Sequence, residues 1–360
     1  MKIVTFADLH LSNSNSYGHI GQFGFNSVLN KQYKEVERLL SLERIDATLF
    51  AGDLSDKPII DPKVGAIISG IFDRGRNIVW MCGNHDTDDS IGYTNVLGNY
   101  GFASDIKKQI HFVNRAQVIE LNNNLVVFCH PWVDSDEHFK HICNDIKSIS
   151  SKKYTKIFLG HLSVRGAEWD GGICYEGINP NLFIKYRKVF KFFVLGHFHK
   201  FQRIKANPNA FYCGALTHRN FKYANIPMGY QIIDTETMDI DHIKTSLLDF
   251  RQFHISEDDH LPKLLSRPEK YKSIIPNLYL RIKYSGKDIE MINGVKNKLV
   301  DLGVSYIRID CERRVKTSKT KKHTVAPVNL QSVITKVVRE NYSGLQKKKA
   351  IESGMRYLEI

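Results

Sequence analysis

Five apolar runs within residues 1–199 each break at a short stretch carrying carboxylate, amide or imidazole side chains. They end in Asp8-Leu9-His10, Gly52-Asp53-Leu54-Ser55-Asp56, Gly83-Asn84-His85-Asp86, Gly160-His161 and Gly196-His197-Phe198-His199. In an open α/β sheet, ligands gather outside the carboxyl ends of strands. A fold that suits this chain must therefore bring five strand ends to one edge. Singly, each stretch has an ordinary explanation. A strand-end Asp forms turns or caps, Asn84 suits a left-handed turn, and a lone His after Gly is commonly structural. Jointly they are the ligand types of a metal centre.

The intervening sequence has the rhythm such a fold needs. Residues 2–7 read as a strand, Lys31 to Leu42 as a helix with Tyr33, Val36, Leu39 and Leu40 on one face, and Ala47–Ala51 as a strand. Val64 to Phe72 reads as a second helix and Asn77–Cys82 as a third strand. This β-α-β-α-β order predicts a layered α/β domain. Short strands follow over His111–Val113, Val118–Leu121 and Leu125–Cys129, the last closed by His130-Pro131-Trp132. A helix is expected over Asp134 to Ile149, then strands at Lys156–Leu159, Val189–Leu195 and Ala210–Cys213. Gly229–Asp234 and Asp239–Ile243 read as a closing hairpin. The polar loop from Ser12 to Asn26 is too long for a mere connector, and such loops often cover sites.

The rhythm changes near Leu247–His254, and the charged, proline-containing stretch Glu257 to Pro268 marks a boundary. Beyond it, Asn277–Tyr284, Asp288–Leu302 and Val304–Asp310 read as a β-α-β module. The expected partition is a first domain over 1–245, a small α+β module over 246–312, a basic linker over 313–328 and a helical segment over 329–360. In that tail Leu330, Val333, Ile334, Val337 and Val338 share one helical face.

The ligand set has a specific chemical use. An Asp can bridge two cations through its two oxygens, and mixed nitrogen and oxygen donors suit Mn, Fe or Zn better than Ca or Mg. Two metals about 3.5–4 Å apart ready a hydroxide and stabilise the entering and leaving oxygens at phosphorus. A phosphodiester needs that help, because its charge repels nucleophiles and its alkoxide leaves poorly. His85 is then free to protonate the leaving oxygen.

Composition narrows the setting. A net charge of +13 suggests a polyanionic partner. No apolar run approaches a membrane span, the N-terminus has no signal-peptide layout, and the six cysteines include no C-x-x-C pair. Together these place the chain in the cytoplasm, with reduced thiols.

The five stretches, quoted above, resemble the five motifs of calcineurin-like metallophosphoesterases. Their order and spacing are most similar to the SbcD-type recombination nucleases of double-strand-break repair complexes, including those of tailed bacteriophages. The resemblance covers roughly residues 1–245 and implies a β-sandwich flanked by helices. It implies that Asp8, His10 and His199 hold one metal, that Asn84, His161 and His197 hold the other, and that Asp53 bridges them. His85 is implied as the catalytic histidine, and Asp56 as the carboxylate that orients it. Manganese is the implied metal, although the residue types leave iron and zinc open. Gly214-Ala215-Leu216 resembles the family's Gly-Ser-Leu turn, with Ala215 in place of the usual Ser.

The resemblance further implies a DNA nuclease with 3′-to-5′ action on duplex ends and endonuclease action on single strands. The module at 246–312 would shape DNA entry, with Arg281, Lys283 and Arg308 as candidate phosphate contacts. The tail would dock on the coiled-coil base of an SMC-like ABC ATPase, or alternatively pack on its own domain. A homodimer is typical of the family, and the cytoplasm would be that of the host cell if the chain is phage-encoded. The competing expectations are a small-molecule phosphodiesterase or phosphomonoesterase, and a non-catalytic metal-binding scaffold.

Overall fold

A computed structural model describes residues 1–72, 77–87, 110–122, 124–133, 136, 137, 139, 140, 154–169, 172–245, 247–256 and 261–311. The linker 313–328, the tail 329–360 and most of the helix expected over 134–149 lie outside these residues. So does any docking or dimer surface on the tail.

Two six-stranded sheets form the centre. The first contains β1 (Lys2–Phe6), β2 (Ala47–Phe50), β3 (Ile78–Met81), β4 (Ile110–Val113), β13 (Gly229–Asp234) and β14 (Ile240–Lys244), in the order β14-β13-β1-β2-β3-β4. The second contains β5 (Gln117–Asn122), β6 (Leu125–Val133), β7 (Thr155–Leu162), β10 (Phe192–Gly196), β11 (Gln202–Ile204) and β12 (Asn207–Tyr212), in the order β11-β12-β10-β7-β6-β5. Side chains alternate faces along a strand, and that alternation sorts each sheet into two layers. Ile3, Leu49, Val79 and Met81 meet Val127, Ile157, Leu159 and Val194 between the sheets. Val4, Phe6, Phe50 and Trp80 point the other way, against α1 (Ser27–Leu40) and α2 (Pro62–Phe72). Phe128, Phe158 and Phe193 do the same on the second sheet, against the helix Asn181–Tyr186. The result is the layered α/β fold, helix-sheet-sheet-helix, that the β-α-β-α-β order and the resemblance imply.

Strands buried on both faces read as continuous apolar runs, which is why they stood out. Their partners differ from simple expectation in three places. β6 continues through His130-Pro131-Trp132, with a register irregularity between His130 and Val133, instead of ending before them. β7 runs on through Gly160 and His161, so His161 lies within a strand and not after it. A short ribbon, β8 (Glu168–Trp169) with β9 (Gly172–Ile173), carried too few residues for a periodic signal.

The module beyond residue 246 has one strand more than its β-α-β pattern suggests. β15 (Asp249–Ile255) pairs in parallel with β16 (Leu278–Tyr284), which pairs in parallel with β17 (Tyr306–Cys311). The helix Ile289–Asp301, capped by the Asp288 side chain on the Met291 amide at 2.8 Å, packs on this sheet through Ile292, Val295 and Leu299. The module has its own core, yet it shares the compact unit Met1–Glu312 with the sandwich. An aromatic cluster joins them. Tyr17, from the loop after β1, has its ring 5.9 Å from Phe221, 4.9 Å from Phe250, 6.0 Å from Tyr279 and 5.4 Å from Tyr306.

The cations expected to face DNA here are partly neutralised. Asp310 accepts from Arg281 Nε and Arg308 Nε, each at 2.6 Å. Alternation along β16 placed Arg281 and Lys283 correctly on one face, but a carboxylate one strand away was not visible from that pattern.

Candidate metal centre

The backbone after β1 and β2 keeps pairing beyond the strands. Asp8 N donates to Gly52 O at 3.0 Å, His10 N to Asp53 O at 3.0 Å and Leu11 N to Leu54 O at 2.9 Å. These two loops therefore present Asp8, His10 and Asp53 side by side. Asp8, His10, Asp53 and His197 have φ of 53°, 45°, 59° and 102°. Non-glycine residues in that region are strained, and such strain persists only where the surroundings hold it.

Glycines give the site its closeness. Gly52 has φ of 100°, and a Cβ there would lie 2.3 Å from His161 Nδ1. A Cβ on Gly83 would lie 2.1 Å from Asp53 Oδ1. The Gly that precedes each of these ligand stretches is thus where strands of the two sheets approach each other.

Side chains from both sheets converge here. Asp8, His10 and His199 present ligand atoms within 4.8 Å of one another, as do Asp8, Asp53 and His161, and His10, Asp53 and His85. Asn84 Oδ1 lies 3.0 Å from His161 Nε2 and 3.1 Å from His197 Nδ1. Asp53 Oδ2 lies 3.5 Å from both His10 Nε2 and His161 Nε2, between the two groups. All seven residues proposed from sequence as ligands therefore meet at one place.

The donor set suits divalent cations. His161 Nδ1 donates to the Ala51 carbonyl at 2.8 Å. Its Nε2 then faces the oxygens of Asn84 and Asp53. His10 Nε2 and His199 Nε2 face each other at 3.1 Å. Asp8 Oδ1 accepts from the His197 amide at 3.0 Å, while Asp8 Oδ2 and His10 Nδ1 are buried without a hydrogen-bond partner. Convergent lone pairs in a buried pocket call for positive charge.

The protonation balance points the same way. Burial pushes Asp8 up to about 7 and lowers His197 to about 3; His10 is also driven well down by burial. Burial works against charged His161, but the Asp53 carboxylate, by its charge and hydrogen bond, raises it to about 9. Asp53 is pushed up by burial and pulled further down by His161 and His10, so it stays well below the usual carboxylate range. Cations must displace protons from Asp8 and His161. Metal affinity is therefore expected to rise with pH through about 7 to 9, with proton release on binding measurable by calorimetry in two buffers. Asp53→Asn should lower metal content at both positions, because Asp53 lies between them. Loss of a single metal equivalent would show that it serves one side only.

His85 is half-buried and its ring meets that of His10 edge-on at 4.7 Å. Its amide donates to Asp53 Oδ1 at 2.9 Å, and its Nδ1 lies 3.1 Å from the Asp56 carbonyl oxygen. The contact with Asp56 thus runs through the backbone and not, as expected, through the carboxylate. That carboxylate instead pairs with Arg219 and sits 3.7 Å from His10 Nδ1. His130 is buried, its Nδ1 3.0 Å from the Pro131 carbonyl and its ring parallel to Phe158, in keeping with a structural wall. Ala215 N donates to His199 O at 2.9 Å, and a Cβ on neighbouring Gly214 would lie 2.5 Å from Phe201 N.

Two residues escaped the sequence reading. Asp86 is fully buried and accepts from Gly83 N, Leu54 N, Ser55 N and Ser55 Oγ at 2.9, 3.1, 2.9 and 3.0 Å. Its position three residues after Gly83 was the available signal for a loop-closing carboxylate. Arg219 reaches Asp56 from 163 residues away, and nothing local marked it.

A two-sheet fold whose strand ends assemble this Asp, Asn and His cluster defines a metal-dependent phosphoester hydrolase. The chain belongs to the calcineurin-like phosphoesterases, whose family model matches residues 1–201. Two solved structures are similar at 12% and 11% identity, each covering 68% of this chain and 98% of its own, with TM-scores of 0.45 and 0.43. The second of these is TT1561 of Thermus thermophilus. No curated protein matches the chain. No helix among the described residues is long and apolar enough to cross a membrane.

Proposed function

We propose that the chain is a dimanganese DNA nuclease, acting 3′-to-5′ on duplex ends and endonucleolytically on single strands, as the nuclease subunit of an SMC-like ABC ATPase complex. The observation that carries this reading is a phosphoesterase metal centre joined to a second module. The module's aromatic cluster grips Tyr17, in the loop that follows His10. A phosphomonoesterase needs only the first part. The charge of +13 and the five motifs support a polyanionic substrate and the nuclease branch. Docking of the tail on the ATPase, homodimerisation and a cytoplasmic setting belong to the same reading.

Asp8, His10, Asp53, Asn84, His161, His197 and His199 would hold two divalent metals, which would supply activation of the nucleophile and charge neutralisation at the phosphoryl group. The protein holds the remaining parts. His85, tethered at Nδ1 to the Asp56 carbonyl, directs Nε2 to proton transfer at the leaving oxygen. Arg219, fixed by Asp56, adds positive charge felt at both Asp8 and His10.

The test is degradation of end-labelled linear duplex DNA with manganese, with and without the co-purifying ATPase. Release of nucleotides from the 3′ end is expected. Intact DNA alongside turnover of a small phosphodiester would instead favour the small-molecule reading.

A further inference from the structure

The His197 side of the centre opens onto an aromatic surface that the chemistry above does not use. The Trp132 ring lies 4.6 Å from that of His197 and 6.0 Å from that of His161. On the same His197 side a cavity of about 340 Å³ is lined by His197, Phe198, Trp169, Ile173 and Tyr175, with Glu176 as its one acid. Trp169 is 50% exposed and Tyr175 84% exposed, so both rings are open to a ligand. The backbone next to each ring is held in place. Glu168 N donates to Gln202 Oε1 at 2.8 Å, Gln202 Nε2 returns to Glu168 O at 2.7 Å, and Cys174 N donates to Ala167 O at 2.9 Å.

Ile173 also borders a second cavity, of about 320 Å³, lined by Arg165, Arg203 and Lys205. The acid in its lining, Glu168, is paired with Lys200, while Arg165 pairs with Asp136 at 2.8 Å and Arg203 donates to the Pro208 and Ile240 carbonyls at 3.4 and 3.2 Å. The order outward from the metal ligands is therefore rings first, then cations. That order matches a polynucleotide strand, whose bases offer π faces and whose next phosphates carry charge.

We propose that Trp169 and Tyr175 form a stacking subsite for unpaired bases of a strand whose scissile phosphate lies in the metal centre, with the Arg165, Arg203 and Lys205 cavity meeting a neighbouring phosphate. This rests on the nuclease reading and assigns the single strand a path across it. Stacking on an aromatic ring tolerates any base, so the subsite favours unpaired over paired nucleotides without reading sequence.

The test compares an unpaired oligonucleotide with one that carries tetrahydrofuran abasic analogues beside the scissile phosphate. Wild type should cleave the base-bearing strand about 5- to 150-fold more efficiently, the range of one base–aromatic stack. Trp169→Ala and Tyr175→Ala should each reduce that preference, the double variant should abolish it, and Tyr175→Phe should retain it. Both rings are exposed, so truncation leaves no cavity, and metal content checks the integrity of each variant. An unchanged preference in the double variant overturns the subsite, as it would if the ribbon docked a protein. Equal cleavage of both strands by wild type also overturns it, yet leaves the nuclease reading standing. If wild type cleaves neither strand but hydrolyses a small phosphodiester, the nuclease reading falls and the subsite with it.

Discussion

His85→Ala is expected to lower phosphodiester cleavage by about a hundred- to ten-thousand-fold, the range of a positioned general acid, with both metals retained. The geometry separates the two roles this histidine can take. Its backbone amide, not its side chain, bonds Asp53 Oδ1, so truncation leaves that support in place. Its Nδ1 faces the Asp56 carbonyl, which cannot donate, so Nδ1 keeps a proton there and Nε2, when it also carries one, is the nitrogen that gives its proton to the leaving oxygen. Yet His85 also offers a nitrogen within 4.8 Å of ligand atoms on His10 and Asp53. Metal content measured beside turnover decides between acid and ligand. Loss of a metal equivalent together with activity would make it a ligand. A substrate with a good leaving group, which needs no acid, should recover much of the lost rate if His85 is the proton donor.

Asp86→Ala is expected to be the most damaging single change to stability near the centre. One carboxylate satisfies three backbone N–H groups removed from solvent and lies 3.0 Å from the Ser55 hydroxyl, which also faces the Lys57 carbonyl at 2.8 Å. Each buried N–H left unpaired costs about 1–3 kcal/mol, so the three together sum to roughly 3–9 kcal/mol against a typical total stability of about 5–15 kcal/mol. The same bonds tie the loop holding Asp53 to the loop holding Asn84. Metal content should therefore fall along with the melting temperature. Asp86→Asn keeps one acceptor oxygen but turns an NH2 group toward N–H donors, and should fall between wild type and alanine. A melting temperature within about 2 °C of wild type for Asp86→Ala would show that the clasp is dispensable.

The ligand cluster was legible because its residues sit where apolar runs stop, and the apolar runs are the doubly buried central strands. Asp8 needed only that pattern, and Asp53 and Asn84 that pattern with a preceding Gly. The sandwich itself was less open to reading from periodicity. β1, β2 and β3 are apolar on both faces, which fixes burial but not which side meets the other sheet. Contacts between distant segments left no local trace. Arg219 with Asp56, and Asp310 with Arg281, are set by tertiary placement alone. β15 was missed for a related reason: its parallel partner is reached only through a long intervening segment, so no turn signal announced the pair.

Tyr17 gives the joint between sandwich and module a meaning for how such a chain can be divided or inherited. Phe250, Tyr279 and Tyr306 come from the three strands of the module, whereas Tyr17 and Phe221 come from the sandwich side. A chain ending near Thr245 would leave Tyr17 and Phe221 facing water with their covering rings gone. The catalytic half would then carry a sticky patch beside its own active centre. Such a seam penalises shuffling of either half alone, and a module exchanged between relatives would have to bring its three rings with it.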